Sequence, residues 1–315
     1  MKNYLKFNLA GKKLFPVWVA FLIFSIIPYS LFIVYYAKAA TTGEYVPWWM
    51  FLLLIPMIVA AFVFTFYYIK FIIEGVEYKE KSLLFGGKFW EYFGIMLLGF
   101  FLSVITLGIY GAWYCRDIQR FFLKNTTHDS QNFNFLGKGG KLLVILLLAM
   151  YVPIVILAIL NINCFNASMS AISWSKFAYQ MVVYFIMIPY MYLVYKWMVN
   201  ISHKDYRISW ETKFCPSCGK IALEMLLTVI TVGIYFPLAI VRIYKYFAER
   251  TIITGQDTVK RFGYDQDQLG DFLLIWGQTL LTIITLGIYF PWACCKIMKN
   301  ILGRTYIEEN SLELN

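Results

Sequence analysis

Thr285–Thr305 reads TLGIYFPWACCKIMKNILGRT, and this stretch decides the architecture. Gly287 allows a helix to end in the left-handed conformation. Pro291 is favoured in the first turn of a new helix. The stretch therefore predicts helix, break, helix. The same pattern stands at Thr231–Thr251, TVGIYFPLAIVRIYKYFAERT, and at Thr106–Thr126, TLGIYGAWYCRDIQRFFLKNT. The second and third copies agree at 11 of 21 positions, and the first and third at 10 of 21. Gly108, Gly233 and Gly287 mark the break in each, and Pro237 and Pro291 follow it in two. The first copy has Ala112 in place of Pro but adds Gly111. Three ungapped copies predict an internal repeat near 92–126, 221–251 and 271–305.

The composition around the copies sets the solvent. The 315 residues are 60% hydrophobic, 20% aromatic and 15% charged, with a mean hydropathy of +0.64. A soluble domain carries about 25% charged residues. A charge content this low cannot coat a globule, so a soluble enzyme and a disordered chain are both excluded. The net charge of +10 does not point to nucleic acid. The basic residues sit at the ends of apolar runs, where Lys and Arg set membrane orientation and meet anionic lipid. Six cysteines are scattered, with Cys294 and Cys295 adjacent inside an apolar run. That usage argues against a secreted disulfide framework.

Four segments read as membrane spans by length: Leu14–Tyr36, Trp48–Phe71, Leu142–Leu160 and Phe177–Tyr195. Lys12 and Lys13 before the first resemble a signal peptide. Its 23 apolar residues exceed the roughly 7–15 of a signal core, so a retained span is expected. The three motif-bearing segments allow single crossings or hairpins with both ends on one side. With hairpins, the outer loops hold only Lys38 and Lys176 of the 28 basic residues. That asymmetry favours hairpins and a cytoplasmic N-terminus.

The motif at Thr285–Ala293, with Gly270-Asp271-Phe272 before it, resembles the YjgN family of bacterial inner-membrane proteins. Glu91-Tyr92-Phe93 and Phe133-Asn134-Phe135-Leu136-Gly137 are similar to further stretches of that family. The resemblance covers roughly residues 85–310. It implies a bacterial inner membrane and carries no known activity. The second copy departs from it, with Pro237-Leu238 where the family has Pro-Trp.

Candidate sites are few. Glu224 is the one carboxylate deep in an apolar run. Such a group is a candidate for an ion or substrate pathway. A hairpin with its apex near 234–235 would set Glu224 opposite Lys245, either as that pathway or as a structural pair. Arg120, Lys245 and Lys299 recur in register, fourteen residues after the first Thr of each copy. They read as interface anchors or lipid-headgroup contacts. Cys215-Pro216-Ser217-Cys218-Gly219 has the spacing of half a zinc site, with His203 as a possible third ligand; two free thiols or a redox pair are the other readings. No nucleophile–base–acid set, phosphate loop or dinucleotide fingerprint is present, so no enzymatic activity is expected.

The expected fold is an all-α polytopic integral membrane bundle. Residues 1–84 form an N-terminal transmembrane pair, 85–310 a domain with three broken-helix repeats, and 311–315 a polar tail. The expected function is a transporter or channel for a small solute or ion. The alternative is a non-transport factor organising anionic lipid or partner proteins at the cytoplasmic face. Membrane lipid is the expected partner, nucleic acid is not, and a homo-oligomer is allowed.

Overall fold

The computed structural model describes residues 2–43, 45, 47–162, 174–256 and 258–311. Strands β1 (Lys2–Tyr4) and β2 (Lys6–Phe7) precede a long helical pair. Its first arm is α1 (Gly11–Thr42); a 3-10 turn at Trp48–Leu53 leads into the second, α2 (Leu54–Gly75). Strands β3 (Val76–Tyr78), β4 (Lys81–Ser82) and β5 (Leu84–Phe85) lead to a short pair, α3 (Phe89–Ile105) and α4 (Gly111–Lys124). Next come β6 (Thr126–His128), β7 (Gln131–Phe135) and a second long pair. That pair goes out through α5 (Gly139–Leu146), a π turn at Leu147–Tyr151 and α6 (Val152–Ile162), and returns as α7 (Trp174–Met198). Strands β8 (Asn200–His203) and β9 (Tyr206–Trp210) join it to α8 (Phe214–Ile230) and α9 (Phe236–Ala248). Strands β10 (Thr251–Thr254) and β11 (Thr258–Tyr264) lead to α10 (Gln268–Ile284), α11 (Phe290–Gly303) and a last strand, β12 (Thr305–Ser311).

The all-α expectation is therefore corrected. The described residues are mostly helical, but short antiparallel strands join every helical pair to the next. These strands close on themselves. From β5 the order runs β6, β7, β8, β9, β10, β11, β12, β1, and a second sheet runs β2, β3, β4. Leu5 links β1 to β2, and its N–H donates to Thr305 O. Leu83 links β4 to β5, and its N–H donates to Val76 O. The two sheets are thus parts of one ring, which has no free edge. The predicted boundary at residues 84 and 85 falls inside β5, and β1 pairs with β12 from the far end of the chain.

Each helical pair leaves the ring and returns to it. The passage from strand to helix keeps one spacing. Phe7, Phe85, Phe135, Trp210 and Tyr264 end strands, and seven positions on stand Leu14, Tyr92, Leu142, Ser217 and Asp271. Those five side chains are all buried, at 0–3% exposure. Aromatic clusters weld the helix roots to the ring, as with Phe66, Phe85, Tyr92, Phe121 and Phe122. Fully burying one such side chain contributes roughly 1.5–3 kcal/mol.

The pairs differ in reach. Among the described residues, four helices are long and apolar enough to cross a membrane: Gly11–Thr42, Trp48–Gly75, Gly139–Ala158 and Met181–Met198. All four lie in the two long pairs. In the short pairs the outgoing arms have 17 residues, about 25 Å against a core of about 30 Å. Depth can be gauged internally. Trp18 Nε1 donates to Gly287 O at 2.8 Å, so the α10–α11 tip lies beside residue 18 of α1. From there α1 runs on to Thr42, about 36 Å more at helical rise.

Candidate functional site

The three TxGIY turns share one set of contacts. Leu107 and Gly108, Val232 and Gly233, and Leu286 and Gly287 all have positive φ. Gly108 N–H donates to Ser103 O at 2.7 Å, Gly233 to Thr228 O at 2.8 Å, and Gly287 to Thr282 O at 2.7 Å. These bonds satisfy carbonyls left over at the end of the outgoing helix. The threonine serves both arms. Thr106, Thr231 and Thr285 donate to the carbonyls four residues back and accept from the N–H of Tyr110, Tyr235 and Tyr289. Pro237 and Pro291 lie in the first turn of the returning helix. They and Ala112, at the same register position, are fully buried.

The expected partnership of Glu224 with Lys245 is corrected. The turn occupies Thr231–Tyr235, so the arms face each other in a different register. Glu224, fully buried, accepts from Lys220 Nζ at 2.5 Å and from the Tyr235 hydroxyl at 2.7 Å. Arg242 donates to the same hydroxyl at 2.7 Å. Lys245 lies a turn nearer the ring, 3.8 Å from Glu249. In the next pair Gln278 accepts from Tyr289, and Lys296 donates to Tyr289. In the first pair the corresponding residues are Gly99, Tyr110 and Asp117, and a cavity of about 400 Å³ takes the place of the bridge. Arg120 lines that cavity, and Lys299 is exposed on α11.

The proposed zinc half-site is also corrected. Cys215 and Cys218 lie in the first turn of α8, where Pro216 is tolerated, and form no knuckle. His203 stands in the strand ring. Among the described residues no group of three or more His, Cys, Asp or Glu side chains could hold a metal.

The ring itself holds the site that sequence reasoning missed. Its lumen is a cavity of about 330 Å³ lined from every strand position around the ring. Toward the helices the walls are Leu5, Val76, Leu83, Phe262 and Ile307. Ile208 and Ile253 carry the apolar wall outward. Near the hairpin turns the lining becomes polar, with Tyr78, His128, His203, Lys204, Tyr206 and Lys260. His203 stacks on Phe133, ring centroids 4.2 Å apart, and His128 stands 6.0 Å from it. Burial pushes the His203 imidazole below its usual pKa, and among the described residues its Nδ1 has no hydrogen-bond partner.

Ion pairs tie the turns together at the mouth. Asp129 takes Lys81 at 2.6 Å and Lys204 at 2.9 Å. Glu309 takes Lys79 at 2.7 Å and Lys260 at 3.0 Å. Bonds from Lys81 and Lys204 hold Asp129 well below the usual carboxylate range. Bonds from Lys79 and Lys260 bring Glu309 down to about 2. The lumen is thus an apolar chamber with aromatic, imidazole and paired ionic groups at one end. The readable signal was the recurring strand aromatic seven positions before a helix-buried residue.

Comparisons with known proteins agree with the membrane reading. Residues 80–209 match the family model of a bacterial protein of unknown function, DUF898. That region runs from the β3–β4 turn to β9 and includes one short and one long pair. A 90-residue stretch, 29% of this chain, is 35% identical to the inner membrane protein YjgN of Salmonella typhimurium. The stretch spans only 23% of that relative's length. No solved structure matches. Through this region the chain is similar to the YjgN family of bacterial inner-membrane proteins.

Proposed function

We propose that the chain is a multi-pass transport protein for a small solute, with the ring on the cytoplasmic side and its lumen as the holding chamber. One observation carries the reading: all strands of a closed ring line a single cavity, and each helical pair is rooted in that ring. Movement of a helical pair would therefore reshape the lumen. The charge distribution supports the orientation, because only Lys38 and Lys176 would lie outside. The shared turns of the three short pairs support copies of one unit. The shared strand-to-helix spacing extends that reading to the long pairs. In this scheme Glu224 holds two arms together, and the solute chamber lies elsewhere.

The short pairs favour a second reading. Their tips expose Leu107, Val232 and Leu286 at 92%, 90% and 87%, and their arms fall short of a crossing. Such wedges in one leaflet, with Arg120, Lys245 and Lys299 near their roots, suit a factor that organises anionic lipid or partner proteins.

Two measurements separate the readings. Single cysteines placed at 128 and 256 in a cysteine-free background should both label from the cytoplasmic side; labelling from opposite sides refutes the hairpin topology. Proteoliposomes are then tested by light scattering for uptake of urea, glycerol and acetate. The transport reading expects at least one probe to enter faster than into empty vesicles, and Ile307→Trp to slow it about tenfold by filling the lumen. Rates equal to empty vesicles for every probe would leave the lipid reading standing.

A further inference from the structure

The groove between α3 and α4 has its own chemistry. In the other short pairs a side chain from the outgoing arm, Glu224 or Gln278, bridges to the tyrosine of the turn. Gly99 stands at that position in α3 and cannot form the bridge. The Tyr114 ring lies so close that a Cβ on Gly99 would overlap it, so the floor of the groove is closed by an aromatic face. What remains is a cavity of about 400 Å³.

Its lining is graded along the arms. Near the ring it presents Glu91, Arg120 and Lys124, and toward the tip Ile95 and Leu98. Glu91, Arg120 and Lys124 are exposed. Among the described residues none of the three has an ion-pair partner, although all line one cavity. Asp117, by contrast, is held by Arg116 at 2.7 Å. Charges of both signs that face one space without meeting leave room for a ligand carrying both signs. Leu98 is 60% exposed, so the apolar end opens sideways toward the surface that faces lipid.

We propose that this groove binds an aminophospholipid. Arg120 and Lys124 take the phosphate diester, Glu91 takes the primary ammonium, and Ile95 and Leu98 receive the start of an acyl chain. Arg–phosphate and carboxylate–ammonium contacts are charge-assisted and short when formed. The assignment rests on the short pairs dipping into the inner leaflet, and it is independent of solute passage. Retained lipid binding without solute uptake would count against passage alone.

The full chain in nanodiscs of phosphatidylcholine is titrated with spin-labelled phosphatidylethanolamine, phosphatidylglycerol or phosphatidylcholine. The ethanolamine lipid should bind about tenfold more tightly than either other lipid, the size expected for one added charge-assisted contact. Glu91→Gln should remove that preference, and Arg120→Gln should weaken both the ethanolamine and the glycerol lipid. Both groove substitutions lie at exposed positions, and a melting curve confirms that each variant folds. Equal binding of ethanolamine and choline lipids, or a preference that survives Glu91→Gln, would overturn the proposal. Equally tight binding of water-soluble glycerophosphoethanolamine would overturn the lipid assignment.

Discussion

The pairs α3–α4 and α8–α9 fold around the same turn and use the space between their arms in opposite ways. In α8–α9 a buried carboxylate, a tyrosine and an arginine lock the arms together. In α3–α4 the lock is missing and a cavity stands there. The roots compensate in kind. Tyr92 of α3 packs on Phe121 of α4, ring centroids 5.7 Å apart, inside an aromatic cluster. At the same register Ser217 meets Tyr246 at 3.3 Å. In the last pair Asp271 accepts from Asn300 at 2.6 Å, Arg304 at 2.9 Å and Tyr264 at 3.0 Å. The turn fixes the shape of a pair, while the paired positions on its arms decide whether it is a rigid strut or a groove.

This comparison breaks most visibly at the root. Asp271→Ala would strand Arg304 and Asn300 beside an emptied buried site. A loss of about 3 kcal/mol is expected, the low end for breaking a buried pair, because Arg304 is partly exposed. Ser217→Ala removes one long hydrogen bond and should cost about 1 kcal/mol or less. Equal losses in a detergent unfolding titration would show that the Asp271 network holds its root no more strongly than the single Ser217 bond holds the other. The next effect lies in the groove. Gly99→Ala forces a methyl into the Tyr114 ring, an overpacking cost of about 1–3 kcal/mol. Gly94, on the same helix with no atom near its would-be Cβ, should gain up to about 1 kcal/mol as Ala. The same sign at both positions would refute the close approach of the arms.

These effects show what the sequence could and could not reveal. The turns were legible because Thr, Gly and Tyr each have a backbone task there, and the tasks recur at fixed spacing. The ring was not. Its strands run from two to seven residues, too short for alternation to stand out beside apolar helices. Two of its tight turns are Lys79-Glu80 and Asp129-Ser130, all with positive φ, and they lack the Asn-Gly or Asp-Gly signature. The partner of Glu224 was misread because arms were counted from a point apex, whereas the turn occupies five residues. Cys215–Cys218 followed a spacing rule blind to the helix that contains it.

A smaller test asks whether the three turns are equivalent. Thr106→Val, Thr231→Val and Thr285→Val each remove the oxygen that caps the returning helix. Each should cost about 1 kcal/mol, the usual value of such a cap. Because the cap is the same in the groove and in the struts, the three losses should agree within about half that value. A cost confined to the bridged pairs would mean that the bridge, and not the turn, holds the arms.

The smallest effect separates the ring mouth from the helical pairs. Asp129 and Glu309 both have folded pKa values below their free ones, so their contribution is complete above the free value and fades as the pH falls toward the folded one. For Glu309 that window runs from 4.5 down to about 2. Both carboxylates are substantially solvent-exposed, so solvent screening keeps the loss small. Hydrogen exchange of the amides around Tyr78, His128 and His203 should therefore quicken, after correction for intrinsic rates, between pH 4.5 and 2.5, and added salt at neutral pH should act in the same direction. The α8–α9 and α10–α11 amides, remote from this mouth, should keep their protection across the same steps. Ring and helices loosening together would mean that the mouth pairs are not a separate layer of stability. A ring unchanged at pH 2.5 would mean that the apolar lumen wall holds the turns without them.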